Sequence, residues 1–179
     1  MSRAMKEAEF ENTAALGAPQ AVADSHWVVM KFGGSSVSSA ENWQTIADLL
    51  KNRLEEGLQP LVVHSALQGV SNALEAVLTA AVNGDPSGVL EEIRAQHYEL
   101  AAALGLDGPS MLDDTLHELD QLVAGVRLVR EVSARVRVRI MALGELMATR
   151  LGAAYLESQS LPVVEQPLSD TPNAAPYDP

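Results

Sequence analysis

The chain has 179 residues, 47% of them hydrophobic, with 12 lysines and arginines against 24 aspartates and glutamates, no cysteine, and a formal charge of -12 at pH 7. That length allows one domain with a substantial core, and the lack of cysteine excludes disulfides, thiolate metal sites and cysteine nucleophiles. So acidic a surface repels nucleic acid and anionic membrane, which excludes both as partners, and it requires any nucleotide site to be locally basic or to use a metal ion.

Residues 1–24 mix charges of both signs with alanine, and Gly17 and Pro19 end any helix there. They read as a disordered tail and not as a secretory signal. With no apolar run near the length of a membrane span, the expectation is a cytoplasmic protein. A domain follows over 25–166. Its first strand is expected at 26–32, where Val28-Val29-Met30 leads into Lys31-Phe32. The chain then turns through Gly33-Gly34 into Ser35-Ser36 and a helix over 40–56. Ser38 or Ser39 suits the N-cap and Glu41 the first turn. Trp43, Ile46, Ala47, Leu50 and Leu54 give that helix one buried face, and Gly57 stops it.

A second strand is expected at 60–66, again nearly continuous in apolar residues, as in a parallel sheet covered on both faces. Strand, helix and strand at this spacing form a right-handed βαβ unit, and ligands bind at the C-terminal edge of such sheets. Two small, hydroxyl-rich turns therefore converge on one crevice: Gly33 to Ser36, and Ser65-Ala66-Leu67-Gln68-Gly69-Val70-Ser71-Asn72.

The pattern then turns helical, with helices expected at 72–82, 87–104, 110–132 and 134–158. The run Arg135-Val136-Arg137-Val138-Arg139-Ile140 alternates like a strand, but helical periodicity continues on both sides. In so acidic a chain its arginines read as a salt-bridged face rather than an anion site. A short third strand is expected at 161–164, and 167–179, with prolines at 172, 176 and 179, as an irregular tail. His26, His64, His97 and His117 are scattered without metal-ligand spacing, and structural or surface roles are expected for all four.

A strand that opens through glycines onto a helix N-terminus makes an anion site, because free N–H groups and the helix dipole point at one spot. Lys31 adds a mobile positive charge beside it. The chemistry suggested is phosphate handling, although an ordinary glycine turn after a strand would give the same string. The order differs from a P-loop, where the lysine follows the glycines.

Three separated segments resemble aspartokinases, within the amino acid kinase family. They are Lys31-Phe32-Gly33-Gly34-Ser35-Ser36-Val37, then Ser65-Ala66-Leu67-Gln68-Gly69-Val70-Ser71-Asn72, then Leu143-Gly144-Glu145-Leu146-Met147. Their order and the long helical insert between the second and third also match. The resemblance implies an α/β fold, a parallel sheet with helices on both faces, as an incomplete amino acid kinase (carbamate kinase-like) fold. It implies phosphorylation of the β-carboxylate of L-aspartate by ATP with Mg²⁺, in the biosynthesis of lysine, methionine and threonine. By position, Lys31 would neutralise the transferring phosphoryl group. Gly33 and Gly34 would bring backbone N–H groups to the phosphates, with Ser35 and Ser36 as added donors. Ser65 and Ser71 would bind substrate, Ser71 standing for the family's threonine, and Glu145 would hold the amino group of aspartate. The family's later glycine-rich segment, which carries the nucleotide lobe, does not occur in these residues. The resemblance is thus to the N-terminal lobe, and this chain alone is expected to be weakly active or inactive. A homo-oligomer, a complementing C-terminal half, and an origin in an enzyme fused to a diaminopimelate decarboxylase complete the expectations. The other reading is a non-catalytic aspartate-binding or interaction module that needs a partner chain.

Overall fold

The computed structural model of the protein describes residues 26–165, so the tails expected at 1–24 and 167–179 lie outside the described residues. Its first part is the expected βαβ unit. Strand β1 (Trp27–Phe32) and strand β2 (Gln59–His64) run parallel, with Trp27 opposite Gln59 and Phe32 opposite His64. Between them lies α1 (Ala40–Glu55), which starts where the Ser39 side chain accepts from the Asn42 N–H. It ends before Gly57, whose φ of 80° is left-handed. Trp43, Ile46, Ala47 and Leu50 form its buried face, whereas Leu54, at the frayed end, is 37% exposed.

A layer of four helices follows: α2 (Val70–Asn83), α3 (Ser87–Ala103), α4 (Gly108–Val129) and α5 (Ala134–Ser158). Helix α2 packs against the other three through Val70, Leu74, Val77, Leu78 and Ala81, spaced to share one face. Asp107 caps α4 and Ser133 caps α5, each accepting a backbone N–H three residues on. The alternating arginine run is helical. Arg139 makes a two-pronged pair with Glu118 of α4 (2.6 and 2.9 Å) and Arg137 pairs with Glu75 of α2. The salt-bridged face is therefore what two of its three arginines build.

Helix α5 lies unusually close to its neighbours because glycines fall on its inner face. A Cβ on Gly144 would stand 2.8 Å from Leu74 Cδ1 and 3.1 Å from Val70 Cγ1, and one on Gly152 would stand 2.1 Å from Trp43 Cη2. With Ala148 between them, also buried, they make a stripe of small residues at i, i+4 and i+8. Trp43 itself is held by a hydrogen bond from Nε1 to the Val37 carbonyl (2.9 Å) and by an edge-on contact with His64.

Two expectations change. Residues 161–165 form no strand. Ser160 turns the chain at φ 63°, Leu161 tucks into the core and Val164 stays 89% exposed, while Pro162 has no N–H for a ladder. The sheet of the described residues accordingly has two strands. The α/β parallel architecture stands, but among the described residues only one sheet face is covered. Met30, Phe32 and Val62 pack on the core, while Trp27, Val29, Leu61 and Val63 are 61%, 64%, 49% and 44% exposed on the other.

Candidate functional site

The site is built where both strands end. After Phe32 the backbone stays extended at Gly33 (φ -80°, ψ 170°) and enters a 3₁₀ turn, Gly34–Val37. The first N–H groups of such a turn have no partner within it. After His64 the chain makes a second turn and enters α2 through Gly69, at φ 85°, a conformation natural to glycine. The two turns touch. A Cβ on Gly34 would lie 2.7 Å from the Ala66 carbonyl oxygen and 3.1 Å from the Gln68 nitrogen, so only a glycine lets them approach this closely. Around Gly33, by contrast, a Cβ would meet nothing within 4 Å.

Hydrogen bonds fix the pair of turns. The Ser38 hydroxyl donates to the Gly34 carbonyl (2.5 Å) and accepts from the Gln68 N–H (2.8 Å). Asn42 Nδ2 donates to the Ser35 carbonyl at 2.9 Å. From the helical layer, Gln96 Nε2 donates to the Gln68 carbonyl at 3.0 Å. Sequence reasoning missed Ser38, Gln68 and Gln96. Ser38 stood there only as a possible cap, a task that Ser39 performs.

The structure therefore brings the first turn, Gly33 to Ser36, against the second at Gly34, beside Ala66 and Gln68, with Ser65 one residue before that contact and Ser71 in the first turn of α2. Glu145 is the next residue along α5 from Gly144. Gly144 packs α5 onto Val70, Leu74 and Ala66, at the base of the second turn. The Glu145 carboxylate is exposed. Lys31 lies exposed on the open sheet face, opposite Val63. Lys31, Glu145 and the hydroxyls of Ser35, Ser36, Ser65 and Ser71 make no hydrogen bond or ion pair with the described residues. One carboxylate, one ammonium and four hydroxyls of the expected site are thus left without partners among the described residues.

Several of the remaining polar groups are committed elsewhere. Arg150 donates to Thr115 Oγ1 (2.5 Å) and joins α5 to α4, and Arg94 pairs with Asp120 (3.0 Å) to join α3 to α4. His97 is fully buried in α3 with Nδ1 2.7 Å from the Ile93 carbonyl, and burial lowers its pKa below the ordinary value, against the pull of that hydrogen bond. Among the described residues no group of three or more His, Cys, Asp or Glu could hold a metal ion. No described helix is long and apolar enough to cross a membrane.

Residues 26–173 match the amino acid kinase family. Aspartokinase 1 (chloroplastic) of Arabidopsis thaliana is 37% identical over 135 residues, which is 73% of this chain and 23% of that protein. The aspartokinase of Chlamydia muridarum is 31% identical over 75% of this chain and 28% of its own length. The chain thus spans about a quarter of the length of these relatives. The crystal structure of E. coli aspartokinase III in complex with aspartate and ADP (R-state) superposes with a TM-score of 0.63 and 26% identity. That match covers 74% of this chain and 29% of the other. The same enzyme in complex with lysine and aspartate (T-state) gives 0.60 and 27%.

Proposed function

The chain belongs to the amino acid kinase family, and we propose that its cleft is the L-aspartate-binding part of an aspartate kinase. The observation that carries this reading is the junction of the two turns beside the Gly144-Glu145 step of α5. In this reading the hydroxyls, turn N–H groups and the Glu145 carboxylate share one sheet edge. The space around Gly33 adds support. Its φ is ordinary and a methyl group would meet nothing, so the fold does not require glycine there; close approach of a phosphate does.

In this reading Glu145 pairs with the α-ammonium of aspartate, and Ser65 and Ser71 donate to its carboxylates. An oxygen of the β-carboxylate forms the new bond to the γ-phosphorus of ATP as the bond to the ADP oxygen breaks. The carboxylate is already ionised at neutral pH, so no general base is required. The turn at Gly33 and Gly34 supplies N–H donors, Ser35 and Ser36 supply hydroxyls, and Lys31 balances charge on the phosphoryl group, the kind of electrostatic help this reaction needs. Because the match covers under a third of the solved relatives' chains, the chain alone binds aspartate but transfers phosphate weakly or not at all. The exposed sheet face at Val29, Leu61 and Val63 favours a second reading, in which a separate chain completes the fold.

Calorimetric titration with L-aspartate tests the proposal. Saturable binding, lost in Glu145→Ala and not reproduced by L-glutamate, is the expected result. Absence of binding by the folded chain would refute it.

A further inference from the structure

Ser38 occupies a position that the aspartate-site reading leaves without a task. It is half-buried, 30 residues away in sequence from its acceptor-side partner Gln68, and its one hydroxyl is used twice. A hydroxyl has one proton to give and two lone pairs to receive with. Here the proton goes to the Gly34 carbonyl and a lone pair takes the Gln68 N–H. Both partners are backbone groups of the turns themselves. The turn carbonyl and the turn amide are therefore locked to each other through one atom, at the place where a Gly34 Cβ would already collide with Ala66 and Gln68. On the far side of the second turn, Gln96 of α3 holds the Gln68 carbonyl. The peptide groups flanking Gln68 are thus gripped from the first turn and from the helical layer at once.

We propose that Ser38 is a positioning residue that sets the spacing of the two turns, and so the affinity of the cleft for L-aspartate, with Gln96 bracing the second turn from the helical layer. It touches no ligand itself. It fixes where the Ser65 and Ser71 hydroxyls stand relative to the Gly33-Gly34 turn, and it makes the substrate half and the phosphate half one rigid edge. This rests on the aspartate reading of the cleft for its affinity arm, and on geometry alone for its exchange arm.

The experiment compares the unsubstituted chain with Ser38→Ala, Ser38→Thr and Ser133→Ala. Ser133 caps α5 far along the helix from Gly144, so its alanine variant measures a loss of stability unconnected with the turns. Each variant is first checked for fold by circular dichroism, then for amide hydrogen exchange at Gln68 and for the Kd of L-aspartate. In Ser38→Ala the Gln68 amide is expected to exchange at least tenfold faster and aspartate to bind about tenfold more weakly, the size of effect that one lost hydrogen bond produces. Ser38→Thr, which keeps the hydroxyl, restores both, and Ser133→Ala moves neither. Unchanged exchange at Gln68 in Ser38→Ala overturns the bridge. Faster exchange with unchanged aspartate affinity overturns the positioning role, as does an equal loss of affinity in Ser133→Ala. If the unsubstituted chain binds no aspartate, the functional reading falls and the positioning of substrate falls with it. The exchange arm then still decides whether Ser38 joins the turns.

Discussion

Replacing Gly152 with alanine tests whether the packing of α5 is as tight as the geometry states. In an exposed helix the change is favourable, since alanine exceeds glycine by about 1 kcal/mol in helix propensity. Here the new Cβ would lie 2.1, 2.6 and 2.9 Å from Cη2, Cζ2 and Cζ3 of Trp43. Ordinary carbon–carbon contacts begin at about 3.5 Å, so helix and indole must separate by more than an ångström. The indole cannot swing aside. It is 1% exposed, tethered through Nε1 to the Val37 carbonyl and set against the His64 ring. Overpacking of this kind costs about 1–3 kcal/mol, and a rigid aromatic partner places it at the upper end. After the propensity gain, Gly152→Ala should destabilise by roughly 2 kcal/mol. Gly144→Ala provides the internal contrast. Its nearest atom is Leu74 Cδ1 at 2.8 Å, the end of a flexible side chain, so its net effect should stay within about 1 kcal/mol of zero. Urea denaturation with a common m-value reads both. Trp43→Phe removes the outer ring atoms, so in that background Gly152→Ala should cost less, with a coupling of about 1 kcal/mol or more. A Gly152→Ala protein as stable as the parent, or more so, would refute the close contact between α5 and α1.

The two glycines of the first turn should behave differently. Gly33→Ala should leave stability within about 1 kcal/mol of the parent or raise it, since nothing lies within 4 Å, whereas Gly34→Ala should lose about 2 kcal/mol against backbone atoms of the second turn that cannot yield. Matched denaturation curves check this, and equal losses would contradict it. Buried His97 is held neutral by desolvation. Below the unfolded-state value of about 6.5 the unfolded chain binds a proton that the folded chain refuses, so stability falls as pH drops from there. Stability measured between pH 7.5 and 5.5 should decline less steeply in His97→Leu than in the parent, and an identical slope would show that another group is responsible. Val29→Lys with Leu61→Lys should change stability by less than about 1 kcal/mol, because both side chains are already largely exposed. The pair should also reduce any concentration-dependent association seen by sedimentation, and unaltered association would clear that sheet face of a role in it.

What the sequence made legible follows from the range over which each signal acts. Buried helix faces such as Leu74, Val77 and Leu78, or Ile140, Leu143 and Met147, repeat within a few residues, so periodicity placed each of the five α-helices among the described residues. The convergence of the turns was also legible, because the handedness of a βαβ unit leaves one edge for both C-terminal ends. Periodicity was weaker on sheet cover. Val29 and Val63 read as interior residues, yet the described residues place nothing over them. The third strand failed for a local reason, since Pro162 and the left-handed Ser160 redirect the chain just where the apolar run suggested pairing.

The Ser38 bridge was beyond such reasoning in kind. Its partners lie 4 and 30 residues away, and the second separation has no period. Serine beside a helix start has an ordinary explanation as a cap, and only coordinates show that the adjacent Ser39 takes that duty and frees Ser38. The same holds for Gly144 and Gly152. In sequence each is a weak point in a helix, and in space each lets α5 pack closely, Gly144 against Leu74 and Val70 and Gly152 against Trp43. Local pattern thus marked the two turns, while the contacts that set their mutual distance came from residues whose side chains are small and whose sequence signal is nearly silent.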